Sequence, residues 1–264
     1  MELKVVIDQM GREVVVPKRP FRILSLVPSQ TELLFSLGLN EEIVGVTKFC
    51  VHPADKVKSK PTVGGTKQFR FDVIEQLRPD LILGNKEENY EEGILQLADS
   101  YPVWMSDIAT LDDACAMIRQ VGSLVGKAEM ASQMANRIMT AFATLPMVHN
   151  PLRVGYFIWQ NPVMTVGQHT FIHDMLTRCG FVNAFAEMGN GRYPELTSVD
   201  IHAAKLDIIF LSSEPFPFKA KHQQAFAEQF PHAVVHLVDG EMFSWYGSRL
   251  ETAVSYFQAL ISSL

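Results

Sequence analysis

Leu111–Leu145, LDDACAMIRQVGSLVGKAEMASQMANRIMTAFATL, runs for 35 residues without a proline. Its apolar positions 111, 114, 118, 121, 125, 128, 135, 138, 142 and 145 recur at helical intervals, which gathers them on one face of an α-helix. Thr110 is placed to cap it, Asp112 and Asp113 suit the positive end of the helix dipole, and Pro146 stops it. A single helix of this length measures about 50 Å, more than one small lobe needs, so the spacing predicts a spine joining two lobes. Gly122 and Gly126 each weaken it by about 1 kcal/mol relative to alanine, so tertiary packing has to support its middle.

On both sides of this segment the texture is short apolar runs alternating with short amphipathic ones. Before it, Lys4–Ile7 and Glu13–Val16 flank a glycine turn and read as a hairpin ended by Pro17 and Pro20. Arg22–Val27 (RILSLV) then reads as a buried strand. Pro28-Ser-Gln-Thr-Glu opens a helix with Ser29 as N-cap and Glu32 completing a capping box, and Gly38 stops it. Ile43–Val46, Asp80–Gly84 and Val103–Met105 follow as strands, with Phe71–Leu77 and Glu91–Ala98 as helices. After the spine come strands at Arg153–Ile158, Asp207–Leu211 and Val234–Val238, and helices at Phe171–Cys179, Ile201–Ala204, Phe218–Gln229 and Arg249–Leu264. Strand–helix alternation means parallel βα units. Helix, Arg-Pro-Asp, LIL in the first half is echoed by helix, Lys-Leu-Asp, IIF in the second. The reading is therefore α/β, two Rossmann-like lobes with parallel sheets bridged by one long rigid helix. Its divisions are a hairpin over 1–20, an N-terminal lobe over 21–109, the bridging helix over 110–146 and a C-terminal lobe over 147–264.

Composition narrows the function. With 47% hydrophobic and 20% charged residues the chain can bury a core in each lobe, which excludes disordered and collagen-like classes. Twenty-three basic against 29 acidic residues leave a net charge of −6, with no basic stripe to follow a phosphate backbone, so nucleic acid is not an expected partner. Cys50, Cys115 and Cys179 form no CxxC pair. No apolar run approaches the 18 or more residues of a membrane span. The opening residues Met1–Gly11 lack the features of a secretory leader or a lipobox, which leaves a cytoplasmic location open. There is no G-x-S-x-G elbow, no GxxxxGK[ST] loop and no HExxH; the expectation is a protein that is not an enzyme and needs no cofactor.

Asp8–Val14 (DQMGREV), Arg22–Leu34, Val44-Gly-Val, Val63-Gly-Gly, Leu77-Arg-Pro-Asp-Leu-Ile and the proline-free helix occur in an order that resembles the helical-backbone metal-chelate receptors, and most of all their vitamin B12-binding branch. These are the substrate-binding proteins of ABC importers for vitamin B12, iron-siderophores and haem. The resemblance implies a monomer that holds a metal chelate in a cleft between lobes. The chelate would be cobalamin or another corrinoid, with haem or a ferric siderophore next. It also implies delivery to a permease and its ATPase by peripheral contact with that membrane complex, and a periplasmic or otherwise extracytoplasmic place of work.

Carried over position by position, the resemblance puts Pro28, Ser29, His52, Asn85, Trp159, Gln160, Met164, Tyr193, Trp245, Tyr246 and Arg249 at the ligand, with Glu91 and Glu214 as the glutamates that dock on the permease. His52 stands where the family has an aromatic before a proline; it suits loop packing, ligand stacking or axial metal ligation. Asn85 leaves one aromatic wall missing. Trp104, within PVWM, reads as core, whereas Trp159 and Trp245 lie among polar loop residues at strand ends, where open α/β sheets hold ligands. Arg249 equally suits a cap on the last helix, and the acidic run around Glu87–Glu92 suits a solvated helix start. The second reading is a cytosolic metal-chelate-binding protein or a chelatase-like α/β enzyme.

Overall fold

A computed structural model describes residues 2–146, 150–189 and 191–264. Residues 147–149, which open the expected C-terminal lobe, and residue 1 of the expected hairpin lie outside the described residues. The chain forms two units. One takes Met1–Ile108, Asp112–Met139 and Tyr246–Glu251; the other takes Ala109–Leu111, Thr140–Trp245 and Thr252–Leu264. Residues 246–251, expected in the C-terminal lobe, thus belong with the first unit.

The first unit opens with β1 (Leu3–Ile7) and β2 (Glu13–Pro17), paired antiparallel with Val5 opposite Val15. Then follow β3 (Ile23–Ser25), α1 (Pro28–Ser36), β4 (Ile43–Val46), α2 (Ala54–Val57), the two-residue strands β5 (Gly64–Gly65) and β6 (Gln68–Phe69), α3 (Phe71–Leu77), β7 (Leu81–Asn85), α4 (Glu91–Ala98) and β8 (Val103–Ser106). Strands β4-β3-β7-β8 make a wholly parallel sheet in that order. Leu24, Leu26, Val63, Phe69, Ile74, Ile82, Ile94, Leu97, Val103 and Met105 form a buried core cluster packed around it. The hairpin is fastened to this unit through Asp8. Its carboxylate takes the amides of Met10 and Arg12, pairs with the Arg12 guanidinium at 2.7 Å and accepts from Met105 N.

The expected spine is two helices. α5 (Leu111–Leu124) and α6 (Ala128–Phe142) are separated at Gly126, whose φ of +72° lies in the left-handed region that ends helices. The amide of Lys127 turns back to the Gly122 carbonyl at 2.6 Å. Cys115 donates its thiol to Ala135 O, and Arg119 bonds Asn136 at 2.9 Å, so α6 runs back along α5 as an antiparallel pair. At Gly122 a Cβ would collide with the Ala131 methyl, so glycine is what permits the approach. The helical periodicity is real, but it continues through the turn because both helices put their apolar faces inward. A second difference concerns α1. It starts at Pro28 after Val27, with no side-chain cap, so Ser29 is not an N-cap.

The second unit contains β9 (Arg153–Trp159), β10 (Val163–Thr165), α7 (Phe171–Arg178), β11 (Val182–Asn183), β12 (Glu195–Leu196), α8 (Ser198–Ala203), β13 (Ile208–Ser212), α9 (Ala220–Gln229), β14 (Val234–Val238), α10 (Gly240–Ser244) and α11 (Leu250–Ser262), the last from Thr252 onward. Its sheet runs β12-β10-β9-β13-β14, with β11 also pairing β9. It is mixed where the sequence predicted parallel strands, because β10 folds straight back on β9 and β12 on β10. One face is a phenylalanine core of Phe157, Phe185, Phe218, Phe226 and Phe230; on the other, Tyr156 and Phe210 meet Phe243, which stacks on Phe257 of α11.

Candidate functional site

In an open α/β sheet the ligand crevice lies at the carboxyl ends of the strands, where the chain reverses its direction of progress across the sheet. In the first unit that point falls between β3 and β7, so it is flanked by the loop into α1, with Pro28 and Ser29, and by the loop after Asn85. Residues 246–249 of the same unit lie against both loops. Tyr246 is buried and its hydroxyl donates to Glu88 Oε1 at 3.3 Å. Gly247 packs against Ser29 O so closely that a side chain would press on it. Arg249 grips Glu32 of α1 with two hydrogen bonds, Nη2 to Oε1 at 2.8 Å and Nε to Oε2 at 3.1 Å. Burial first, then the charges of Glu88 and Glu87, hold the Tyr246 phenol well above its usual range, so it remains a neutral donor to Glu88.

Asn85, expected at a ligand wall, is buried and committed to the loop. Its Oδ1 accepts the amides of Glu87 and Glu88 at 2.9 and 3.1 Å, and its Nδ2 donates to Ser106 Oγ at 2.9 Å. Asn89 ties this loop to its neighbours, accepting from Asn85 N at its Oδ1 and donating from Nδ2 to Leu26 O and Thr66 O. Lys67 donates to Glu87 O at 2.7 Å, and Lys48 N to Gly64 O at 2.8 Å. Three segments of this rim, 47–53, 64–69 and 85–90, are thereby joined. His52 lies half-buried among them. Beside it Phe49 is 50% and Val51 48% exposed, an apolar pair that the sequence reading passed over. The available signal was an aromatic in Thr-Lys-Phe-Cys, three residues past the strand Ile43–Val46.

In the second unit the corresponding reversal lies between β9 and β13. Trp159, the last residue of β9, is 40% exposed; it anchors its indole N–H on Asn161 O at 3.1 Å and sets its ring against Phe216 at 5.7 Å. Met164 is its cross-strand partner, and Phe216 N donates to Ile158 O, so Trp159, Met164 and Phe216 come together with Gln160 in the adjoining turn. Tyr193 is half-buried in the segment whose Arg192 and Pro194 carbonyls accept from Gly167 and Thr165 of the β10 side. Trp245 differs from its expected role: it is only 7% exposed and donates its indole N–H to Glu214 Oε1 at 3.0 Å. Ser244 Oγ donates to the same oxygen at 2.6 Å. Glu214 is consequently no exposed docking carboxylate. Burial, aided by the nearby Glu241 and Asp239 carboxylates and opposed by those two hydrogen bonds, raises its pKa. Glu91, by contrast, is exposed at the first turn of α4.

Residues 23–232 match the sequence model of the periplasmic binding proteins. The chain belongs to that family. Over 254 residues it is 26% identical to a vitamin B12-binding protein of Pectobacterium atrosepticum, covering 93% of this chain and 90% of the relative. Over 172 residues it is 30% identical to the Salmonella typhimurium protein of the same name, covering 63% of each. Among solved structures, the periplasmic heme-binding protein of Roseiflexus sp. RS-1 in apo form superposes with a TM-score of 0.79 at 22% identity, over 92% of this chain and 98% of the other. The periplasmic vitamin B12-binding protein of Vibrio cholerae does so with a TM-score of 0.75 at 21% identity, over 94% and 98%. At those identities the structural likeness establishes the fold.

For this binding protein, the carried-over residues therefore sort by what their side chains already do. Trp159, Gln160, Met164, Tyr193 and His52 keep accessible surface; Asn85, Trp245, Tyr246 and Arg249 spend their polar groups on internal partners. Ser29 and Pro28 are buried at the start of α1. Among the described residues no three His, Cys, Asp or Glu side chains cluster to hold a metal, and no helix is long and apolar enough to cross a membrane.

Proposed function

We propose that this binding protein captures a metal chelate outside the cytoplasm and passes it to an ABC permease and its ATPase, and that the chelate is a corrinoid such as cobalamin, with haem and ferric siderophores ranked after it. The observation that carries the reading is the sequence likeness to vitamin B12-binding relatives along almost the whole of both chains. A macrocycle offers broad apolar faces and a polar rim, and recognition needs aromatic or thioether surface with a few directed polar groups. Trp159 on Phe216, with Met164 opposite and Gln160 beside it, has that composition. We assign Trp159, Gln160, Met164, Tyr193 and His52 to ligand contact. Glu91, exposed at the start of α4, is the permease-docking residue. The protein acts by binding and release, with the chelate as cargo and no turnover.

Titration of the purified chain with cyanocobalamin, haemin and a ferric siderophore, read by quenching of tryptophan fluorescence, tests this. Saturable one-to-one quenching by cyanocobalamin is expected, since Trp159 is the exposed indole. Failure of every chelate to bind would overturn the ligand class, and chemical alteration of a recovered chelate would favour the chelatase reading instead.

A further inference from the structure

Glu91 opens a helix that no side chain caps. Tyr90, the residue before α4, has an extended backbone at φ −86° and ψ 138° and accepts no amide from the first turn. A helix start of this kind frays unless tertiary contacts hold it. Here they come from the two residues just before Glu91. Asn89 is 4% exposed, and its side chain is fully engaged within the unit: Oδ1 accepts from Asn85 N at 2.9 Å, and Nδ2 donates to Leu26 O at 3.3 Å and to Thr66 O at 3.2 Å. Its own amide donates to Asn85 O at 3.0 Å. The entry of α4 is thereby tied to the end of β7, to the residue after β3 and to the turn between β5 and β6. Gly84 leaves the room for this, since a Cβ there would stand 3.0 Å from Asn89 Oδ1.

Tyr90 adds a second hold. Its ring centroid lies 4.8 Å from that of Phe69, and the ring covers Gly93 so closely that a side chain at that position would overlap it. The first turn of α4 is therefore held between a buried amide and a seated ring. Glu91 and Glu92 are exposed on it, and α4 (EEGILQLA) contains no basic residue to neutralise them. A charge on an immobilised backbone loses less freedom when it pairs with a partner, so the pairing is tighter. None of the groups that Asn89 bonds belongs to the side chains assigned to the chelate.

We propose that Asn89 is a positioning residue for hand-over: by fixing the turn 85–90 it holds the first turn of α4, and with it the Glu91 carboxylate, in place for a cationic side chain of the permease. This rests on the docking role assigned to Glu91 above. Asn89 is buried and touches no partner itself; it acts through Glu91.

The test adds purified wild type, Asn89→Ala, Glu91→Ala and the double variant to spheroplasts that carry the transporter but lack a binding protein of their own. Each protein is loaded with labelled cyanocobalamin, or with labelled haemin if wild type binds only that, and uptake is followed against protein concentration below the melting temperature of every variant. Asn89→Ala should raise the half-saturating protein concentration about three- to tenfold, leave the maximal rate unchanged and keep the chelate affinity within about twofold of wild type. In the double variant the half-saturating concentration should equal that of Glu91→Ala alone, because a residue that acts through Glu91 has nothing left to position. A general loss of structure would instead lower the maximal rate and add to the effect of Glu91→Ala. If Asn89→Ala does not fold, Tyr90→Leu, which removes the ring from Phe69 and Gly93, should give the same signature. An effect of Glu91→Ala that neither Asn89→Ala nor Tyr90→Leu reproduces overturns the positioning role while docking stands. Additive effects in the double variant, or a chelate affinity weakened more than twofold by Asn89→Ala, overturn it as well. Uptake that Glu91→Ala leaves unchanged overturns the docking reading and the positioning role with it.

Discussion

Glu214, Trp245 and Asn85 show how a side chain's chemistry can suit two roles that only its neighbours separate. A glutamate before proline in Ser-Ser-Glu-Pro reads as an exposed loop carboxylate; here its Oε1 accepts from Ser244 and Trp245, and its burial favours the protonated form. An acid whose pKa is higher folded than unfolded binds its proton more tightly in the folded state. Its stabilising contribution is full below the unfolded value and is lost as pH rises through the folded one. Glu214→Gln keeps a carbonyl acceptor for both donors but cannot titrate. Relative to this variant, wild type should therefore be more stable at about pH 5 than at about pH 8, measured as urea midpoints; a difference that does not change with pH would exclude the effect. None of these partnerships lies within local sequence: Glu214 and Trp245 are 31 residues apart and Asn85 and Ser106 are 21 apart.

The same division holds for elements. β4, α3, α4 and β14 begin and end where apolar period and turn residues place them, because each boundary is enforced by local chemistry such as Pro79 after α3 or the acidic first turn of α4. The failure was at Leu111–Leu145. Hydrophobic period reports which face is buried, and two helices packed face to face have the same period as one. The reversal is marked by Gly126 in the left-handed region and made compact by Gly122 against Ala131. Gly122→Leu should overpack this contact, costing about 1–3 kcal/mol and lowering the melting temperature by several degrees. Gly126→Ala should also destabilise, through backbone strain in place of packing. If calorimetry finds Gly122→Leu as stable as wild type, α5 and α6 do not pack as described. The start of α5 makes the same point: Leu111 N is satisfied by Asp174 of α7 at 2.8 Å, a cap contributed by an element 63 residues away.

At the scale of the whole molecule, function depends on capture and hand-over being separable. Glu91 lies on the outer first turn of α4, where a carboxylate is stabilised by the helix dipole and remains available to an arginine of a partner. If the proposed docking role holds, Glu91→Ala should leave chelate affinity unchanged while reducing uptake in cells that depend on the transporter; normal uptake would remove that role. By itself the sequence determined the α/β class, most element boundaries, the absence of hydrolase and nucleotide-loop motifs and the likeness to chelate receptors, since these follow from local propensity, periodicity and ordered motifs. Tertiary structure decided which of the candidate residues remain available. It sent Tyr246–Glu251 to the first unit, bonded Tyr246 to Glu88 and Arg249 to Glu32, joined the buried Trp245 to Glu214 by a hydrogen bond and left Phe49 exposed. The physical reason is that a side chain's accessibility and hydrogen-bond partners are set by residues distant in sequence, which periodicity and spacing do not encode.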